Sequence, residues 1–180
     1  MRGLRQSVGD MIRSMLVVLA FVGAILLVTW RPQPEAIREV SLEPIATLAA
    51  NQADFPIFVI DGDERPTSVR WEPTAASDGA QVWHVGYVTP DEEYVQISQS
   101  SVDTPAYVEE QSAKGVVVDD PTQVTAEVRE LTAQGWVPLL GQDAEPRRSL
   151  MRTGDGSTTI VSGSGSWSDV ADAATRLVGR

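Results

Sequence analysis

The sequence contains no cysteine, which excludes disulfides, thiol catalysis, zinc knuckles and lipidation on cysteine. Its single histidine, His84, excludes a metal site built from several imidazoles. Its only lysine is Lys114, and no Gly-Lys-Ser/Thr phosphate-binding loop is present. There is no G-x-S-x-G motif to accompany His84. We therefore expect no cofactor, no metal ion and no catalytic residues of a recognisable type.

Basic residues are scarce relative to acidic ones. The chain has 14 lysines and arginines against 25 aspartates and glutamates, and its formal net charge is −11. A nucleic-acid-binding protein needs a basic surface to neutralise phosphates, so we exclude nucleic acid as a partner. The apolar fraction of 42% and the charged fraction of 22% are ordinary for a folded protein and exclude wholesale disorder.

One long apolar run lies near the N-terminus. Residues 14–30 (SMLVVLAFVGAILLVTW) contain no ionisable side chain. With the two apolar residues before Arg13, the run reaches about 30 Å as a helix, the thickness of a bilayer hydrocarbon core. Arg13 lies near one end of this helix, from which its long side chain reaches the lipid headgroups. Trp30 lies at the other end, where an indole favours the membrane interface. We predict a single transmembrane helix over 14–31, in preference to a buried core helix or a cleaved signal peptide.

Charge asymmetry predicts the orientation of the chain. Residues 1–13 carry three arginines and one aspartate, whereas the remainder carries 11 basic and 24 acidic residues. Arginines that flank a span remain on the cytoplasmic side. We predict a cytoplasmic tail over 1–13, a stalk over 32–40 and an extracytoplasmic domain over 41–180. The protein is expected at the cytoplasmic membrane as a single-pass protein.

The domain is predicted to be rich in strands. Residues 82–88 and 94–99 alternate apolar and polar side chains around a Thr-Pro-Asp-Glu-Glu turn, which predicts a hairpin. Residues 149–152 and 158–162 flank a Thr-Gly-Asp-Gly-Ser turn and predict another. We also expect a short buried strand over 116–118.

Helices are predicted near both ends of the domain. Ser41 and Ser166 are each expected to cap a helix, and the apolar face of the last helix includes Leu177. A further helix is expected over about 103–113. Residues 122–141 start with helical spacing and end with strand-like Gly-Trp-Val-Pro-Leu, and we favour a hairpin there. Because no βαβ rhythm is present, the fold class is α+β, a mostly antiparallel sheet packed with helices.

Three stretches of the sequence resemble a known family. They are RQSVGDMIRSMLVVLA at the N-terminus, WHVGYVTPDEEYVQISQS in the middle and RRSLMRTGDGSTTIVSGSGSWSDVADAA near the end. Together they are similar, in order and over nearly the whole chain, to the actinobacterial single-pass proteins of domain of unknown function 4245. This resemblance implies a membrane-anchored protein of the actinobacterial cell envelope. The family brings no established activity and no catalytic residues.

Four side chains are candidates for a ligand or partner surface: Trp83, His84, Tyr87 and Trp136. Tryptophan and tyrosine are enriched in recognition patches, although they also pack in cores. His84 is the one side chain whose unperturbed pKa lies near neutrality. In the predicted strand, Trp83 and Tyr87 lie on one face and His84 lies on the other.

An anchor, an acidic domain and no catalytic set together predict a non-enzymatic, membrane-tethered binding or interaction module of the cell envelope. Its expected partners are the membrane, through the N-terminal helix, and an envelope protein or cell-wall ligand. One alternative is an envelope hydrolase that uses carboxylates or His84. Another is a structural or assembly factor of a membrane complex. Acidic residues grouped around His84 in a concave pocket would favour the hydrolase, whereas an exposed tryptophan patch would favour partner binding.

Overall fold

A computed structural model describes residues 8–29, 39–74, 79–143 and 146–180. The chain divides into two units, Met1–Ile37 and Arg38–Arg180. Most of the predicted stalk over 32–40 lies outside the described residues.

The first unit forms helix α1 (Val8–Thr29). This helix begins inside the predicted cytoplasmic tail and includes the apolar run as far as Thr29. Large apolar side chains between Met11 and Ile25 are exposed. No helix in the described part of the chain is both long and apolar enough to cross a membrane. This finding does not support the transmembrane span predicted over 14–31, which stays a prediction from the sequence.

The second unit alternates short helices with a strand-rich framework. Its elements are α2 (Glu43–Gln52), β1 (Phe58–Ile60), β2 (Arg65–Glu72), β3 (Val82–Val88), β4 (Tyr94–Ser100), α3 (Pro105–Gln111), β5 (Val116–Val117), α4 (Ala126–Ala133), β6 (Val137–Leu140), β7 (Arg148–Gly154), β8 (Ser157–Gly163), α5 (Trp167–Thr175) and β9 (Leu177–Gly179).

Over the described residues, the main sheet has seven strands in the order β2-β3-β4-β8-β7-β6-β5, and a second sheet pairs β1 with β9. Every pair of neighbouring strands is antiparallel. The pairing of β4 with β8 joins the two hairpins in the centre of the main sheet. The predicted α+β class with a mostly antiparallel sheet is therefore confirmed.

Both predicted hairpins are present. Strands β3 and β4 pair from Val82 opposite Ser100 to Val88 opposite Tyr94. Strands β7 and β8 are joined by Asp155 and Gly156, which both have positive φ, 53° and 79°. Positive φ at both central residues is the condition for the type I′ turn that matches the twist of a hairpin, so Asp-Gly specifies this register.

The apolar core lies on one face of the main sheet, beneath α2, α4 and α5. Trp83, Val85, Ile97 and Leu150 are completely buried there. Helix α5 begins with the predicted capping box, in which the Ser166 hydroxyl accepts from the Asp169 amide at 3.4 Å while the Asp169 carboxylate accepts from the Ser166 amide at 2.6 Å.

The preferred hairpin over 122–141 is wrong in its first half. Residues Ala126–Ala133 form helix α4, and only Val137–Leu140 form a strand. Val128 and Leu131 are buried against the core. Their helical spacing puts both side chains on the sheet, and this tertiary contact decides the local conformation.

Three further local predictions are wrong in whole or in part. Leu42, not Ser41, occupies the N-cap of α2, and its side chain makes no capping hydrogen bond. The strand predicted over 116–118 is present as Val116–Val117, but it is not buried: both side chains are exposed on β5, an edge strand of the main sheet. Leu177 begins β9 and pairs with Ile60, so it lies beyond the apolar face of α5.

Candidate functional site

A groove of about 630 Å³ lies on the sheet face opposite the apolar core. Strands β2, β3 and β4 form its floor, and α3 forms a wall. The groove is half-open, and its lining mixes polar side chains with small apolar ones. Val82, Ala80, Val102 and Ala106 supply the apolar part. A concave site with a few converging polar groups is the usual form of a small-ligand pocket.

Strand alternation explains why this face is polar. Successive residues of a strand point to opposite faces, so Trp83 and Ile97 enter the core while His84 and Ser98 point to the groove side. His84 lies directly opposite Ser98 in the pairing of β3 with β4. Ser98 is completely buried and Ser100 is 1% exposed, although both are polar. Buried polar groups are tolerated only when they are hydrogen-bonded, so this face must contain its own network.

Ser98 is the hub of that network. Its hydroxyl lies 3.0 Å from His84 Nδ1, accepts from Gln96 Nε2 at 2.7 Å and donates to Gln111 Oε1 at 2.9 Å. The same Gln111 oxygen accepts from Gln96 Nε2 at 3.1 Å. Gln111 belongs to α3, so the network connects the wall of the groove to its floor. Tyr94 extends it by donating to Gln96 Oε1 at 3.1 Å.

The network assigns the tautomer of His84. The Ser98 hydroxyl has one hydrogen, and the hydrogen bond to Gln111 uses it. The contact between Ser98 and His84 therefore requires the hydrogen to be on Nδ1. The second ring nitrogen, Nε2, is then a hydrogen-bond acceptor, and it makes no hydrogen bond to any described residue. Nε2 is available to a ligand in the groove.

Burial keeps His84 uncharged. Desolvation, reinforced by the positive charge of Arg70 and opposed by Glu72, lowers the pKa of His84 from 6.5 to about 4. At neutral pH the imidazole is therefore a neutral donor and acceptor. It is a weak base compared with a catalytic histidine, whose pKa is best placed near the operating pH.

Gly86 makes room for the network on the floor of the groove. A Cβ at this position would collide with the Tyr94 hydroxyl and the Ser68 hydroxyl. Tyr94 can cross strand β3 only because this side chain is missing. Such close approach of a neighbouring group is a common reason for glycine inside a strand.

Charged groups lie at the rim of the groove and nearly cancel. Arg70 forms an ion pair with Glu72, and Glu110 is exposed on α3. The Tyr107 hydroxyl is buried and has no hydrogen-bond partner among the described residues. Burial raises the pKa of Tyr107, with a further contribution from Glu110, so the hydroxyl keeps its proton. No cluster of three or more metal-ligating side chains occurs in the described ranges.

The four predicted site residues do not form one surface. Trp83 and Tyr87 are buried in the core, where Trp83 Nε1 donates to the Phe58 carbonyl at 2.9 Å and the Tyr87 hydroxyl accepts from the Ile60 amide at 3.3 Å. Trp136 is buried too, and its ring lies 4.9 Å from the Arg152 guanidinium carbon. Of the four, only His84 lines the groove.

Sequence reasoning missed most of the groove. Gln96 and Ser98 carry a readable signal, because polar side chains alternate with Val95 and Ile97 on a strand paired with His84. Gln111 and Tyr107 carry no such signal. They reach the site only because α3 packs against this face of the sheet.

Comparisons with known proteins add a family and no activity. No curated protein and no solved structure matches the chain. The sequence profile described as "Protein of unknown function (DUF4245)" matches residues 4–177. Because this match covers almost the entire sequence, the chain belongs to the DUF4245 family.

Proposed function

We propose that this protein is an extracytoplasmic binding module of the cell envelope, tethered to the membrane by α1, and that the groove between α3 and strands β2, β3 and β4 is its binding site. The observation that supports binding most directly is His84. This neutral imidazole is held by Ser98 through one nitrogen and leaves the other free beside a groove of about 630 Å³. Such an arrangement orients an acceptor for a ligand without supplying a base of suitable strength.

The tether rests on the sequence around α1. Residues 14–30 contain no ionisable side chain, and the exposed side chains of α1 include Leu16, Leu19 and Phe21. A helix that exposes apolar side chains needs an apolar environment or an apolar partner. Three arginines before residue 14 favour a cytoplasmic N-terminus, which would leave the acidic second unit outside.

A hydrolase is the second candidate, because carboxylates do line the same groove as His84. Glu72 and Glu110 are the residues in question. The Ser98–His84 contact also has the spacing of a nucleophile and its base. Two features oppose this function. Ser98 is completely buried and its hydroxyl donates its hydrogen bond to Gln111 Oε1, and the low pKa of His84 makes the imidazole a weak base.

Photocrosslinking in native membranes tests the binding site. A photoreactive phenylalanine analogue replaces Ala106, which lines the groove, or Glu109, which is exposed on the same helix but does not line it. We expect light-dependent adducts, seen by intact-mass spectrometry, from position 106 only. Equal adduct yields at both positions, or none at 106, would refute the site.

A reporter fusion tests the tether and the orientation. A reporter enzyme that is active only outside the cytoplasm is fused after Arg180. We expect activity in whole cells and recovery of the fusion in the membrane fraction, with both lost when residues 1–34 are deleted. A soluble or cytoplasmic full-length fusion would contradict the proposed location.

A further inference from the structure

We infer that the groove takes an uncharged, hydroxyl-rich ligand of the saccharide class, and that a ligand hydroxyl donates a hydrogen bond to His84 Nε2. This inference rests on the proposed binding function and names the chemistry of the same site. Three features of the groove carry it: the free acceptor, the balance of charge, and the combination of small apolar side chains with hydrogen-bonding groups.

The free acceptor, His84 Nε2, requires a ligand that carries a hydrogen-bond donor. Nδ1 of His84 is committed to Ser98, Gln96 Nε2 donates to the Ser98 hydroxyl and to Gln111 Oε1, and the Ser98 hydroxyl donates to that same Gln111 oxygen. Nε2 is therefore the acceptor that the network leaves over, and a ligand must bring a donor to it. A hydroxyl or an amide N–H meets this requirement, whereas a carboxylate or a phosphate dianion presents only acceptors.

The charged side chains around the groove disfavour an anionic ligand and do not require a cationic one. Arg70 is the cationic side chain among the residues that line the groove, and it is ion-paired with Glu72. Glu110 adds a negative charge at the rim, in a protein whose net charge is −11. An anionic ligand would meet no free positive charge here, and its desolvation would go uncompensated. A neutral ligand avoids that cost.

The surfaces of the groove match an amphipathic ring. Val82, Val102 and Ala106 offer apolar area that can cover the C–H face of a sugar, while His84, Gln96 and Gln111 supply polar groups. Tyr107 Oη is buried with no hydrogen-bond partner among the described residues, which is uncommon for a hydroxyl in a folded protein. A ligand oxygen that reached this hydroxyl would satisfy it.

His84 is a built-in probe, because it is the only histidine in the chain. We would purify the full chain with a histidine-free tag in a non-glycosidic detergent and follow the imidazole nitrogens by NMR. The ligand is an uncharged N-acetylglucosamine trisaccharide, and the matched probes are a galacturonate trisaccharide, which carries carboxylates, and inorganic phosphate. We expect a saturable shift of Nε2 with the uncharged sugar and none with the two anions.

Variants separate the hydrogen bond from general binding. Calorimetry with the uncharged sugar should show an affinity lower by at least about tenfold for His84→Phe, which removes the acceptor. His84→Gln, which restores an acceptor oxygen, should recover part of this loss. Glu109→Gln, on the exposed side of α3, is the control and should leave the affinity unchanged.

The outcomes separate the inference from the proposed function. No binding of the uncharged sugar up to about 10 mM, tenfold above a weak millimolar Kd, overturns the inference. A shift with galacturonate or phosphate also overturns it, while adducts at position 106 in the photocrosslinking experiment would leave the proposed function standing. Absence of those adducts, together with no shift of Nε2 for any of the three probes, refutes the groove as the binding site and therefore the proposed function.

Discussion

The two faces of the main sheet use the same strands for different purposes. On one face, Trp83, Ile97 and Leu150 are buried beneath α4 and α5 in an apolar core. On the other, His84, Ser98 and their neighbours are buried or half-buried in a hydrogen-bonded layer beside α3.

The covering helices differ in the same way. Helix α5 buries five of its residues, whereas α3 buries none. Burial of apolar area is the main stabilising term in folding, so the core face should contribute most of the free energy of unfolding. On the proposed function, the groups of the polar face position a ligand, and we expect them to contribute less to stability. Substitutions at paired positions on the two faces test this division.

The largest effect is expected at Trp83. Trp83→Ala removes a completely buried ring and its hydrogen bond to Phe58, and should lower the free energy of unfolding by about 3–5 kcal/mol. The adjacent substitution on the opposite face, His84→Gln, should cost less than about 1 kcal/mol near neutral pH. Urea unfolding of both variants gives the comparison. Similar losses would show that the polar face is also a main source of stability.

The next largest effect is a dependence of the free energy of unfolding on pH, caused by the titration of His84. Its folded pKa is about 4 against an ordinary 6.5, so the unfolded state binds the proton more tightly. Stability is therefore fully present above about pH 6.5 and falls as the pH drops towards 4, by up to about 3 kcal/mol.

His84→Gln removes this titration and is the way to isolate it. Unfolding free energies of the wild type and the variant, measured from neutral pH down to about pH 4, should converge or cross as the wild type weakens. The carboxylates titrate in both proteins and cancel in the difference. Parallel curves would mean that His84 titrates normally in the folded protein.

A smaller loss is expected from Gly86→Ala. The new Cβ would collide with the hydroxyls of Tyr94 and Ser68, so the Tyr94 side chain must move from its place across β3. This displacement should lower the free energy of unfolding by about 1–3 kcal/mol. The hydrogen bond from Tyr94 to Gln96 should be lost, and the His84 imidazole resonances should move. Gly154→Ala is the control within a strand, because its Cβ would meet nothing within 4 Å. Equal effects from the two variants would contradict the packing described at Gly86.

The smallest effect compares the caps of the two covering helices. Ser166→Ala removes half of the capping box of α5 and should cost about 1 kcal/mol in global unfolding, while the exposed Ser168→Ala serves as control. Thr104→Ala removes the hydroxyl that accepts from the Tyr107 amide at 3.3 Å. Since α3 buries no residue, that loss should appear as faster local hydrogen exchange in α3. Equal global losses would show that both helices belong to one cooperative unit.

Local patterns in the sequence were sufficient for much of the framework. Alternation over 82–88 and 94–99 predicts the central hairpin, and Asp155-Gly156 specifies the turn of the other one. Ser166 and Asp169 mark the start of α5. Predictions from these patterns are confirmed because the interactions that determine a turn, a cap or strand alternation span only a few residues. They fail at 122–134, where burial of Val128 and Leu131 against distant strands selects a helix.

By itself, the sequence determined the α+β class, the two hairpins, the capped last helix and the separation of Trp83 from His84 onto opposite faces of a strand. Only the tertiary structure decided that Trp136 is buried, that β5 is an exposed edge and that Gln111 meets Ser98. The physical reason is the distance along the chain between the residues that interact. Turns, caps and alternation follow from neighbouring residues, whereas a groove needs α3 to dock on strands that are distant in the chain. Docking depends on the summed packing of the whole domain.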